Sequence, residues 1–261
     1  MFRPCIDLHE GKVKQIVGGT LGNEARGLRT NFVSDRPASW FAELYKRDDL
    51  SGGHVIMLGP GNEQQARGAL GAYPGGLQLG GGVNLENAQD WLDSGASHVI
   101  VTSWVFHAGK VDIERLKSLV QKIGREHLVL DLSCRLRGDD YLIVTDRWQR
   151  FTEVMIDKNT LEHLAAWCSE FLVHAVDVEG LCIGVDEKLV GLLAQYSPIP
   201  CTYAGGAKSI ADLARVTKLS NGRVDLTIGS ALDIFGGTGA RYDEAVSFNR
   251  KQRSLSEKAA G

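Results

Sequence analysis

The chain of 261 residues predicts an α/β fold, a parallel (β/α)8 TIM barrel with an internal half-barrel duplication. Short β-branched runs alternate with helix-period segments along the whole length, which argues for a parallel sheet with helices packed outside it. The length suits one such barrel, which typically takes ~250 residues, and no linker divides it. A repeat splits the chain near residue 124, giving half-barrels at about 1–124 and 125–250, with a polar tail over 251–261 expected to fray.

Taken in order, strands are expected over 2–8, 54–58, 76–79 and 98–102 in the first half, and over 127–132, 171–176, 199–204 and 224–228 in the second. Within 112–124, Ile113, Leu116, Val120 and Ile123 share one helical face, and within 208–219, Ile210, Leu213, Val216 and Leu219 recur every third residue. Eight strand-helix units favour a closed barrel over an open doubly wound sheet. Two long loops, 9–35 and 133–152, follow strands one and five, the second with a small hairpin at 141–145. Both leave strand C-termini, the face where such barrels carry their chemistry, and are expected to act as lids.

Composition narrows the function classes. A net charge of −3 from 29 basic and 32 acidic groups gives no field to draw in nucleic acid or an anionic membrane. No apolar run approaches the ~20 residues that span a bilayer, and residues 1–8 lack a signal-peptide layout, so a cytoplasmic protein is expected. Cys5, Cys134, Cys168, Cys182 and Cys201 are odd in number and form no C-x-x-C pair. Neither a disulfide framework nor a metal site is expected, and at least four of them read as buried free thiols.

The repeat carries the chemistry. Strand one ends Cys5-Ile6-Asp7-Leu8 and strand five Val129-Leu130-Asp131-Leu132, while strands three and seven run into Gly80-Gly81-Gly82 and Ala204-Gly205-Gly206. Asp131 follows Asp7 by 124 residues, Gly206 follows Gly82 by the same 124, and Ser230 follows Ser103 by 127. Each glycine turn stands before a helix N-terminus, where the backbone can approach an anion closely and unpaired N–H groups meet its charge. A tight βα turn without any ligand would use the same glycines. Here, however, each turn is followed by a second small-residue strand end, Thr102-Ser103 or Gly229-Ser230. Two phosphate cups are therefore expected, Gly81, Gly82, Thr102 and Ser103 in one half and Gly205, Gly206, Gly229 and Ser230 in the other. Two phosphates across one mouth imply an elongated small-molecule bisphosphate as the binding partner.

A carboxylate at the end of an apolar strand is costly unless paired or functional. Asp7 and Asp131, one per half and between the cups, fit a general acid and a general base. Asp177, after strand six, has a comparable placement. Trp148, in the polar run Arg147-Trp148-Gln149, is either packing or a stacking surface for a planar substrate. His9 reads as an ordinary loop histidine, His174 as a satisfied core residue and Cys5 as core filler.

With these residues in view, the chain resembles over essentially its whole length the histidine-pathway isomerases, the phosphoribosylformimino-5-aminoimidazole carboxamide ribotide isomerase family. The matching stretches are Pro4-Cys5-Ile6-Asp7-Leu8 with Gly11-Lys12-Val13, LQLGGGVN at 77–84, Leu130-Asp131-Leu132, YAGGA at 203–207 and the run at 228–232. The resemblance implies an Amadori rearrangement of an aminoaldose to an aminoketose, with Asp7 as base, Asp131 as acid and Trp148 stacked on substrate. It also implies that no metal or redox cofactor is needed, because the substrate nitrogen serves as electron sink. Strand two reads Val55-Ile56-Met57-Leu58-Gly59-Pro60 in place of the bacterial Val-Asp-Leu-Asp-Gly, and Asn84 replaces a frequent arginine. Strand six carries Ala175 where bacterial members have a hydrogen-bonding threonine. These variants look like the eukaryotic branch, with Asp177 taking over part of the threonine's role.

Two rivals remain at this level. The sister cyclase of the pathway shares the first-strand aspartate but places a catalytic lysine eight residues later, where this chain has Gln15; Lys14, one residue away, faces the other side of a strand. A non-catalytic phosphometabolite-binding barrel would need the cups but neither carboxylate. Large loops over one face are compatible with a monomer.

Overall fold

The computed structural model describes residues 1–21 and 28–260. Residues 22–27, part of the expected lid after strand one, and Gly261, the end of the expected tail, lie outside the described residues. The first strand is divided at Pro4 into β1 (Phe2–Arg3) and β2 (Cys5–His9), since proline has no N–H for the ladder. The chain then doubles back as β3 (Lys12–Ile16) and β4 (Thr30–Val33), an antiparallel extension of the sheet. Next come α1 (Ala38–Arg47), β5 (Gly53–Met57), α2 (Glu63–Ala72), β6 (Leu77–Gly80), α3 (Ala88–Asp93) and β7 (His98–Val101). A short hairpin, β8 (Phe106–His107) and β9 (Lys110–Val111), leads to α4 (Ile113–Ile123) and β10 (Leu128–Asp131).

The long loop after β10 is a three-stranded antiparallel sheet of β11 (Cys134–Arg137), β12 (Asp140–Thr145) and β13 (Arg150–Met155), larger than the hairpin expected there. The chain continues through α5 (Lys158–Ala165), β14 (Glu170–His174), α6 (Glu187–Tyr196), β15 (Cys201–Ala204), α7 (Ile210–Ser220), β16 (Val224–Thr227) and α8 (Tyr242–Ala260). Helix α8 occupies 251–260, where composition predicts fraying.

These elements form an α/β fold around a curled parallel sheet, ordered β1-β16-β15-β14-β10-β7-β6-β5-β2 with β3 and β4 appended. All eight pairings from β1 round to β2 are parallel. The main core lies between sheet and helices. A second, small cluster of Ile56, Ile100, Val129, Leu172 and Ala204 fills the concave side, as the period-two alternation of strands requires when both faces are covered. Four of the five cysteines are buried and all five are free.

Helix signals were legible locally. Asp112 caps α4 by accepting from the Arg115 N–H, and Gly124, at φ 80°, ends it. Ser209 and Asp212 form a capping box on α7. Leu219, expected on the inner face of α7, is instead 42% exposed. At 3.6 residues per turn, three-residue steps drift steadily round the helix, so only Leu213 and Val216 of that series are fully buried.

Candidate functional site

The strand C-termini open on two adjoining cavities. The larger, about 640 Å³, is lined by Gly81, Gly82, Thr102, Ser103 and Asp131. The smaller, about 30 Å³, is lined by Asp7, Gly205, Gly206, Gly229 and Ser230. The two expected cups are thus separate, one per cavity, and each cavity holds one of the repeated aspartates. Ile56, Leu58, Trp148 and His174 line both and form the partition.

The cups match in backbone detail. Gly81 and Gly82 have φ of 96° and 70°, and Gly205 and Gly206 have 128° and 71°, conformations that only glycine adopts without strain. A Cβ on Gly81 would lie 2.1 Å from the Met57 carbonyl oxygen, and one on Gly206 2.3 Å from that of Gly184. Among the described residues, the N–H groups of Gly82, Val83, Ser103 and Trp104 donate to no protein acceptor, and neither do those of Gly206, Ala207, Ser230 and Ala231. Clustered free N–H groups beyond strand ends are anion receptors. The loops cross over in the same sense: Asn31, after strand one, donates to Ser230 Oγ (3.2 Å), and the Asp146 N–H, after strand five, donates to Ser103 Oγ (3.1 Å). Among the described residues, arginine side chains line the larger cavity alone, Arg115 and Arg147.

The two aspartates differ in surroundings. Asp7 accepts from Gln15 Nε2 at 3.1 Å. Burial, with the Glu179 carboxylate adding to it, pushes Asp7 up to about 7 against the opposing pull of His174 and Gln15. Asp131 is buried, and its Oδ1 accepts from Ser133 Oγ at 2.8 Å and lies 3.3 Å from His174 Nδ1. Burial alone would raise its pKa, but the His174 charge and the bonds from His174 and Ser133 hold it below the ordinary carboxylate range. His174 responds in kind: burial opposes its charge, yet Asp131, Glu179 and Asp7 together raise it to about 9.

Trp148 sits in the partition. Its Nε1–H donates to Ser133 Oγ at 2.9 Å, and its ring centroid lies 5.7 Å from that of His174. Asp146, Arg147 and Trp148 all have positive φ, 52°, 59° and 64°, which costs roughly 1–2 kcal/mol per non-glycine residue. Strain of this kind persists where surrounding contacts hold a side chain in place.

Asp177 lies outside both cavities, where its carboxylate accepts from Arg135 Nε (2.8 Å) and the Leu136 N–H (3.0 Å). The strand expected to run to residue 176 stops at His174, and the turns that follow swing Asp177 outward. Glu179, which strand parity could not reach across those turns, lines the smaller cavity instead. Gln15, which in the sequence marks only the absence of a lysine, bridges Asp7 and Ser230, donating to Asp7 and accepting from Ser230 Oγ at 3.3 Å. Lys14 turns to His9 and Glu10, away from both cavities, so the cyclase's lysine has no counterpart here. Thr227 Oγ1 is buried on the wall of the smaller cavity without a partner among the described residues. No cluster of three metal-ligating side chains occurs among those residues.

Comparison with known proteins gives the family. The model of the family described as "Histidine biosynthesis protein" matches residues 1–238. The chain belongs to this family. Among its relatives, a chloroplastic 1-(5-phosphoribosyl)-5-((5-phosphoribosylamino)methylideneamino)imidazole-4-carboxamide isomerase of Medicago truncatula is 54% identical, covering 97% of this chain and 82% of its own. Isomerases of the same name from Neurospora crassa and Saccharomyces cerevisiae are 52% and 47% identical, covering 96% of this chain and 99% and 98% of theirs. Matches that cover 96% or more of this chain include part of α8. No helix among the described residues is long and apolar enough to cross a membrane.

Proposed function

We propose that this protein is the aldose–ketose isomerase of histidine biosynthesis, converting an imidazole carboxamide aminoaldose that carries two phosphates into its aminoketose. The observation that carries the reading is the pairing of two matched sets of free N–H groups with one aspartate beside each, in a chain 54% identical to a relative named as that isomerase. The cups hold the two phosphates and so fix the long axis of the substrate across the mouth, leaving the reacting ribose at the partition. Holding the reactant this way supplies orientation rather than chemistry. Asp7 is the base that removes the proton from the carbon next to the aminal carbon, and Asp131 serves the acid side, where the sugar ring opens. Trp148 stacks on the imidazole.

The sheet closes into a (β/α)8 barrel of two duplicated halves. In support, β1 pairs with β16 and β2 with β5, and Pro4 alone separates β1 from β2. Both cups and both aspartates come from one chain, so a monomer suffices for turnover. Supplying the aminoaldose bisphosphate to the purified protein, with the pathway cyclase and ammonia as the coupled reporter, should give steady turnover. Phosphate binding without turnover would leave only a metabolite-binding barrel.

A further inference from the structure

We infer that Gln15 is the positioning residue of the base: its buried amide ties one oxygen of Asp7 to the serine of the smaller cup and leaves the other oxygen for the substrate C–H. This rests on the isomerase reading and deepens it. Gln15 lies on β3, is 2% exposed, and lines the smaller cavity together with Asp7 and Ser230. Its Nε2 donates to Asp7 Oδ2 at 3.1 Å and to Cys5 Sγ at 3.8 Å, and its Oε1 accepts from Ser230 Oγ at 3.3 Å. Among the described residues no other side chain donates to Asp7. The repeat explains why the holder comes from another strand. Asp131 is held by Ser133, two residues on. The matching position in the first half is His9, which faces Lys14 at 3.1 Å instead.

The direction of each bond in this chain is fixed from both ends. The Gly180 carbonyl can only accept, so Asn31 presents its nitrogen to it at 2.8 Å and to Ser230 Oγ at 3.2 Å. Ser230 then gives its one hydrogen to Gln15 Oε1, which leaves the Gln15 amide nitrogen facing Asp7. An inverted Gln15 would set its carbonyl oxygen against the carboxylate. The chain of bonds thus runs from β4 through the cup to the base.

Gly229 supports the same reading by shape. Its φ lies outside the left-handed region that Gly205 and Gly206 occupy, so its backbone suits an alanine. Yet a Cβ there would lie 2.3 Å from Gln15 Oε1. This glycine of the cup keeps room for the Gln15 amide.

A carboxylate turns about its Cβ–Cγ bond unless something holds it, and a catalytic group misplaced by ~1 Å costs ~10²-fold in rate. A donor to the ionised form also favours that form. The Gln15 bond therefore lowers the proton affinity of Asp7, against the burial and the Glu179 charge that raise it to about 7. The titratable groups facing Asp7 are Cys5 on β2, Tyr45 on α1, His174 at the end of β14 and Glu179 beyond it.

The test is the pH profile of Gln15→Met, which keeps the length of the side chain and loses its donor. The expected result is a fall in kcat of roughly 10–100-fold with KM within about threefold, because Asn31 still holds Ser230. The acid limb of kcat/KM should move up by about one pH unit, the effect of losing one hydrogen bond to a charged group. Gly229→Ala keeps Gln15 but fills the space of its carbonyl, and should move the limb the same way, so the result does not depend on one variant's folding. A carbon-13 titration of the Asp7 carboxyl reads the shift without turnover: the midpoint should lie at about 7 in the wild type and higher in both variants. Lower stability with an unmoved limb and an unmoved carboxyl midpoint would mean that Gln15 only packs, and would overturn the inference. Wild-type protein without turnover would defeat the isomerase reading and this inference together, whereas wild-type turnover with unmoved limbs in both variants defeats this inference alone.

Discussion

Burial beside Glu179 raises Asp7 from 3.8 to about 7, and this has opposite consequences for catalysis and for stability. A base of that strength is ionised enough to act near neutrality while still drawing a proton firmly. Because the folded protein binds the proton more tightly than the unfolded chain, the stability Asp7 contributes is complete below about pH 4 and is lost as pH rises to about 7. Asp7→Asn should therefore lower kcat by ~10²–10⁴. Its Tm should exceed the wild-type value by a margin that widens between about pH 4 and 7 and then levels off. Paired activity assays and thermal scans across that range check both halves; near-normal kcat would remove Asp7 from the base role. Trp148 gives a second prediction. If the indole stacks on the imidazole, Trp148→Ala should weaken binding by ~1–3 kcal/mol, the range for base–aromatic stacking, as read by calorimetry. Unchanged affinity and rate would leave the indole with packing alone.

At the scale of elements, the strands divide labour along their length. Their C-terminal ends carry the cups, and their N-terminal ends enclose a buried polar knot. Glu170, at the start of β14, accepts from Gln78 Nε2 on β6 at 2.8 Å and from Thr202 Oγ1 on β15 at 2.7 Å. Removing a buried acceptor strands its donors, at about 1–3 kcal/mol for each group left unpaired. Glu170→Ala should destabilise the fold by roughly 3 kcal/mol, which at ~2–4 °C per kcal/mol for a domain of this size is a Tm loss of ~6–12 °C. KM should hold, since neither cup is touched. A Tm within a degree or two of wild type would show that water satisfies the knot. The two β-extensions, β3–β4 and β11–β13, do similar positioning work above the sheet: each delivers a residue, Asn31 or Asp146, to the serine of one cup.

Over the whole molecule, the matched cups predict two anions on one mouth. Inorganic phosphate diffused into crystals should occupy both sites in the wild type. A carboxylate at Ser103 or Ser230 sets like charge against phosphate where screening is weak, so Ser103→Asp and Ser230→Asp should each retain one anion and each raise Kd for the bisphosphate. The larger cavity keeps Arg115 and Arg147 on its wall, so Ser103→Asp should be the milder of the two. A single anion in the wild type, or anions away from these loops, would dispose of the two-cup geometry.

The sequence by itself determined the alternation of strands and helices, the positions of the eight parallel strands to within about two residues, and the repeat that pairs Asp7 with Asp131 and Gly82 with Gly206. Those features are local or periodic: a strand end, a φ that only glycine adopts, or a spacing of 124 residues can be read along the chain. What only the tertiary structure decided are the pairings between strands far apart in sequence. His174 reads as a satisfied core residue until it lies 3.3 Å from Asp131, which is 43 residues away. Asp177 alone reads as a mouth residue until the strand ends at His174 and the turns beyond it send Glu179 inward and Asp177 out. Period-two parity holds only while the backbone stays extended, and an aspartate's proton affinity depends on charges that the fold, not the chain order, brings beside it.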